Sequence, residues 1–173
     1  MLVVNTLLMQ IVLTASYFID GVALAVESYA GRFYGQRATA DLHWLLLLGS
    51  GGSVVLGVLI AVTLLVWPVP FFSLLTVHQS LLSVLPVYVG WLIPVLGLGA
   101  IAFTLDGYFL GLTAGYILRN STLIAVLIGF LPMALFANWL QQPHLLWVAL
   151  VGLMAGRVVT LMRQVPSTVK GIP

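Results

Sequence analysis

Three carboxylates of this chain stand where carboxylates are costly. Asp20 and Glu27 lie inside the first apolar run of the sequence, and Asp106 lies inside a later one. An ionised side chain at the centre of a bilayer costs about 2.5–3.5 kcal/mol on insertion scales, so such groups mark ion or substrate pathways by default. A carboxyl group held there can carry a proton or coordinate Na⁺, which is the chemistry of ion coupling. Asp20 and Glu27 are two helical turns apart and share a face. Purely structural readings compete with this one. Glu27 can pair with Arg32 or snorkel, and Asp20 or Asp106 can pair with Arg119 or cap a helix.

The first apolar run has two faces. At about 100° per residue, Asn5, Thr6, Gln10, Ser16, Tyr17, Asp20, Gly21, Glu27, Ser28 and Gly31 fall on one half of a helix. Val4, Leu7, Leu8, Ile11, Val12, Ala15, Phe18, Ile19, Val22, Ala25 and Val26 fall on the other. The apolar half suits lipid or a packed neighbour. The polar half must face protein or water, because lipid cannot satisfy it. Asn5, Asp20, Glu27, Asp106 and Arg119 are the candidate pathway residues. Other chemistry is not encoded. His43, His78 and His144 are dispersed, with no metal-ligand spacing. There is no Gly-Lys-Ser/Thr phosphate loop and no nucleophile–base constellation. Cysteine is absent, which excludes a disulfide framework and a thiolate metal site. Neither an enzyme nor a metal centre is expected, and an enzyme acting on lipid would need a converged His/Glu/Arg set at one interface.

These residues need a membrane scaffold to position them. Hydrophobic residues make up 62% of the chain and charged residues 6%, with a mean hydropathy of +1.19. Soluble domains carry roughly 25% charged residues, so this chain could not cover a globular surface. A net charge of +2 is too small to suggest nucleic acid as a partner. Residues 1–30 lack the basic start of a cleavable signal peptide. Spans of about 20 apolar residues occur at roughly 2–30, 42–67, 83–112, 118–137 and 144–163. The expected fold is therefore an all-α, polytopic membrane bundle of about five helices. The breaks fall at Gly31–Asp41, at Pro68 and Pro70, at Gly115–Asn120, and at Asn138–Pro143, where Pro143 suits an early helical position. The third helix should start near Leu81, with Pro86 in its first turns and Pro94 as a kink.

Charge placement sets an orientation. Arg32 and Arg37 fall in the first loop, Arg119 in the third, and Arg157, Arg163 and Lys170 at the C-terminal end, so all 6 basic residues lie on one side. The positive-inside rule makes that side cytoplasmic, with the N-terminus outside and the C-terminus inside. Small residues recur every four positions at Gly49, Ser53, Gly57 and Ala61, at Gly107, Gly111 and Gly115, and at Gly152 and Gly156. This spacing lets helices approach closely in lipid. Trp67, Trp139 and Trp147 suit interfacial positions. An Asp-Gly pair recurs at Asp20-Gly21 and Asp106-Gly107, a weak internal echo.

Several motifs in order resemble a known family. Asn5-Thr-Leu-Leu, Ser16-Tyr-Phe-Ile-Asp-Gly-Val-Ala, Glu27, Gly31-Arg-Phe-Tyr-Gly-Gln-Arg, Leu105-Asp-Gly-Tyr-Phe-Leu-Gly and Leu118-Arg-Asn-Ser resemble the DinF branch of the multidrug and toxic compound extrusion (MATE) transporters. The resemblance implies the eighth to twelfth helices of a twelve-helix fold made of two six-helix bundles. It implies an inner (plasma) membrane protein that exports amphipathic, often cationic, small molecules by antiport with H⁺ or Na⁺. No other cofactor is implied. The partners would be the lipid bilayer, the substrate and a missing N-terminal bundle. The coupling acid of the family's first helix has no counterpart in this sequence. Two alternatives stand beside this reading: a non-transporting or decayed membrane scaffold, and a flippase-type relative acting on lipid-linked substrates.

Overall fold

The computed structural model describes residues 2–68, 70–71, 88–140 and 142–170. Its long elements are α1 (Leu2–Gly35), α2 (Thr39–Val66), α3 (Leu92–Gly111), α4 (Gly115–Leu140) and α5 (Pro143–Lys170). All five are long and apolar enough to cross a membrane, and the described residues contain no strand. Apolar side chains such as Leu13, Leu48, Ile128 and Leu135 point outward. That is the arrangement of a protein whose solvent is hydrocarbon.

The helices are packed around α3, the most buried of the five. It touches α1, α2 and α5, while α4 packs chiefly on α5. Paired contacts give the directions. Ala23 meets Gly107 and Gly31 meets Gly111, so α1 and α3 run parallel. Gly57 meets Leu96 whereas Gly49 meets Thr104, so α2 runs against them. Gly129 crosses Gly152 and Ala125 meets Gly156, so α4 opposes α5. Two apolar clusters fill the interior. One includes Leu8, Ile19, Leu92 and Leu96, and the other includes Val26, Leu105, Phe109 and Leu161.

The small-residue pattern is the packing code. A Cβ at Gly57 would lie 2.9 Å from the Leu96 carbonyl oxygen, and one at Gly152 would lie 2.8 Å from that of Gly129. At Gly107 and Gly111 it would collide with the Ala23 and Glu27 carbonyl oxygens. Gly115 departs from the pattern: it opens α4 and has nothing near its Cβ position.

Several boundaries differ from the sequence reading. The first turn is confined to Gln36–Ala38, where Arg37 takes a positive φ of 58°. The break after α3 sits at Leu112–Ala114, with Thr113 at φ 55°, rather than at Gly115–Asn120. Arg119 is consequently a helical residue of α4, not a loop residue. Leu81, Pro86 and His78 lie outside the described residues. A turn at Gly90–Trp91 precedes α3. Pro94 therefore falls in its first turn, where a missing N–H costs nothing, and does not kink it. The helix that does deviate is α4. Ala125–Phe130 forms a wide π turn just before Pro132, whose ring cannot donate to the preceding turn. Trp67 and Trp139 are exposed near helix ends, but Trp147 is buried.

Candidate functional site

Close packing of α1 on α3 builds the site. With Gly107 seated on the Ala23 carbonyl, Asp106 faces the bundle beside the turn of α1 that carries Asp20. The two carboxylates come within electrostatic reach of each other. Both are partly buried. Thr104, one turn before its helix reaches Gly107, anchors α3 to α2: its hydroxyl bonds Ser53 Oγ at 2.8 Å and the Ala100 carbonyl at 2.9 Å. All these groups are held by helices rather than loops, which fixes their positions.

The partner of Asp106 is Arg157. Its guanidinium, from the middle of α5, donates through an Nη to Asp106 Oδ2, and this is the one ion pair among the described residues. The side chains are only 18% and 16% exposed. The Arg157 guanidinium carbon also lies 5.9 Å from the centre of the Phe103 ring, one turn before Asp106 on α3, within cation–π range. The pair is incompletely satisfied. Asp106 Oδ1 and Arg157 Nε are buried with no hydrogen-bond partner. The carboxylate thus retains one oxygen able to accept from, or coordinate, a further group.

The remaining candidates are spread out. Asn5 lies about 22 Å along α1 from Asp20, at a helical rise of ~1.5 Å per residue. Its Oδ1 accepts a bond from Trp147 Nε1 at 3.2 Å, tying α1 to α5 at the end opposite the basic residues. Glu27 is partly buried and forms no ion pair with Arg32. Arg119 is exposed and bonds the neighbouring Asn120 Oδ1 at 3.4 Å; it does not pair with Asp106. The polar half of α1 is not buried as a unit. Thr6, Gln10, Tyr17, Gly21 and Ser28 face outward, while Asn5, Ser16, Asp20, Glu27 and Gly31 border the packed stripe. The echo of Asp-Gly pairs does not extend to packing, since Gly21 has open space where Gly107 has Ala23.

Arg157 is the residue that the sequence reading missed. It was counted with the C-terminal basic residues, yet it sits mid-helix with apolar residues on both sides in Leu-Met-Ala-Gly-Arg-Val-Val. That flanking was the available signal. With Arg157 assigned to the interior, the other basic residues still gather at one end of the bundle: Arg32 in the last turn of α1, Arg37 just beyond it, Arg119 early in α4, and Arg163 and Lys170 late in α5. A separate groove of about 440 Å³ runs between α1 and α2, lined by Gln10, Thr14, Phe18, Thr63 and Phe71 among others. Among the described residues no His/Asp/Glu cluster could hold a metal ion.

Five apolar spans packed around a buried charge pair make this an integral, multi-pass membrane protein. The family model described as MatE matches residues 3–135. The chain is 31% identical over 158 residues to the DNA damage-inducible protein F of Escherichia coli (strain K12), an alignment covering 91% of this chain and 34% of that protein. The chain thus spans about a third of the length of the curated relative it matches. No solved structure matches it significantly. The chain belongs to the MATE family of membrane transporters, in its DinF branch.

Proposed function

We propose that this chain is the C-terminal part of a secondary efflux transporter that exchanges H⁺ or Na⁺ for amphipathic or cationic small molecules. The observation that carries the reading is the Asp106–Arg157 pair between two membrane-spanning helices, with an unused oxygen on Asp106 and Asp20 close by. A carboxylate in hydrocarbon with a free oxygen is a group that a proton or Na⁺ can occupy. Arg157 then serves as the internal counter-charge that keeps Asp106 in the interior when no coupling cation is bound. Family membership supports transport rather than catalysis.

The substrate would meet the outward polar stripe of α1 and the mostly apolar groove between α1 and α2, whose volume lies within the ~300–1,000 Å³ usual for small-molecule sites. In the membrane the basic end would face the cytoplasm, with the N-terminus outside and the C-terminus inside. Helices supplied by an N-terminal bundle would close the pathway.

The test is efflux of a cationic dye from cells lacking their own exporters. The chain is expressed with and without a polypeptide supplying the other helices of a DinF-type protein. Gradient-driven efflux that requires both parts supports the reading. No efflux from a stable, membrane-inserted pair would leave a scaffold. Movement of a lipid-linked sugar in place of the dye would favour the flippase alternative.

A further inference from the structure

The sequence after Asp106 carries cations without carboxylates. Residues 107–173 include Arg119, Arg157, Arg163 and Lys170 and no Asp or Glu. Arg157 is committed to Asp106. Arg119 and Arg163 are exposed and form no ion pair among the described residues. They also sit at one depth. Counted from Leu140 along α4 and from Pro143 along α5, each lies about 30 Å from the opposite end of its helix at ~1.5 Å per residue. That is the thickness of the hydrocarbon core, about 30 Å. Both residues would therefore stand near the level where phosphate headgroups begin.

A small pocket lies between these two helices at that end. It measures about 90 Å³, and Tyr116, Asn120, Ser121, Thr160 and Gln164 supply its polar lining. Asn120 Oδ1 accepts from Arg119 Nε at 3.4 Å, and the Ser167 hydroxyl donates to the Gln164 carbonyl at 2.6 Å. The Ser121 and Thr160 hydroxyls bond each other at 2.5 Å, and Thr160 also donates to the Gly156 carbonyl at 2.8 Å. The amide –NH₂ groups of Asn120 and Gln164 remain as donors for a guest, and no carboxylate lines the pocket. The bond to Asn120 draws the Arg119 head toward this rim, and Arg163 adjoins Gln164 along α5.

Donors and cations without a carboxylate suit an anion rich in acceptor oxygens. The volume equals about three waters at ~30 Å³ each, enough for a phosphate group but not for a lipid tail. Tails would lie against the exposed Leu123, Leu127 and Met162. We propose that this pocket, flanked by Arg119 and Arg163, binds the phosphate of an anionic phospholipid headgroup. The site is separate from the Asp106–Arg157 pair and stands whether or not the chain transports.

The experiment is native mass spectrometry of the purified full chain, titrated in detergent with phosphatidylglycerol, phosphatidylcholine or inorganic phosphate. We expect saturable retention of phosphatidylglycerol over phosphatidylcholine. Affinity should fall about five-fold in Arg119→Gln or Arg163→Gln and about 25-fold in the double variant, from the usual worth of one basic residue near an anionic membrane surface. Lysine at both positions should restore most of it. Arg32→Gln/Arg37→Gln, at the same end but away from the pocket, should bind as the wild type does. Equal retention of both lipids, undiminished binding by the double variant, or an equal loss in the Arg32/Arg37 variant would overturn the proposal. Occupancy by inorganic phosphate at matching concentration would overturn the lipid as the source. If the double variant loses its helical circular dichroism, the two single variants carry the same test.

Discussion

Arg157→Met leaves Asp106 in the bundle without its counter-charge, and Asp106→Asn leaves Arg157 there. Both side chains are less than one-fifth exposed, so neither stranded group reaches water freely. Removing one partner of a buried pair costs about 3–5 kcal/mol, whereas replacing both by neutral groups of similar size is often close to neutral. The two losses should be unequal. A lone aspartate can take up a proton, but a guanidinium cannot give one up. Arg157→Met is therefore expected near the low end, about 3 kcal/mol, and Asp106→Asn nearer ~4–5 kcal/mol. Phe103 remains under the stranded guanidinium and returns about 1 kcal/mol of that at most. The double variant should lose far less than the sum of the two single losses, because it strands no unpaired charge. The assay is unfolding of the purified chain in bicelles by SDS titration, followed by circular dichroism, for the wild type, both single variants and the double. Single-variant losses that simply add, within ~0.5 kcal/mol, would refute the pair as an energetic unit.

Other consequences follow from the packing. Gly107→Ala drives a methyl group into the Ala23 carbonyl and should cost about 1–3 kcal/mol by overpacking, whereas Gly21→Ala, which meets open space, should be neutral in the same unfolding assay. Thr104→Val removes the bond to Ser53 and should cost about 0.6 kcal/mol, at most ~1.7, the range measured for hydrogen bonds between membrane helices. The chain has no native cysteine, so single labels report orientation cleanly. A membrane-impermeant maleimide added to intact cells should label Gln142→Cys and spare Gln36→Cys, both at exposed turns; the reverse pattern would invert the topology.

The number of spans was legible because each is a long apolar run, and the membrane enforces helices on such runs. The close contacts were also legible in the four-residue spacing of Gly49, Ser53, Gly57 and Ala61, all buried in the structure. Partner choice was not. Asp106 and Arg157 are 51 positions apart, and nothing local says that α5 rather than α4 lies beside α3. Arg119 is nearer in sequence, but it is exposed on α4 and bonds Asn120 instead. Trp147 misled in the same way: a tryptophan near a helix end suits an interface, but Asn5 of a distant helix supplies its acceptor inside the bundle. Pro94 would kink a helix that ran on from before it, but the turn at Gly90–Trp91 puts it in the first turn of α3. The helix with the real irregularity, α4, shows it over Ala125–Phe130, where the sequence offers only Pro132 as a sign.

The central claim is that Asp106 is where a cation couples to transport, and it is tested most directly by efflux in the assembled transporter. Cationic dye export is measured under an imposed H⁺ or Na⁺ gradient for the wild type and for Asp106→Asn, at matched amounts in the membrane. The account predicts that the variant loses gradient-driven export while still binding the dye. Export by Asp106→Asn that responds to the gradient as fully as the wild type would contradict it, and would leave the Asp106–Arg157 pair as a structural tie between two helices.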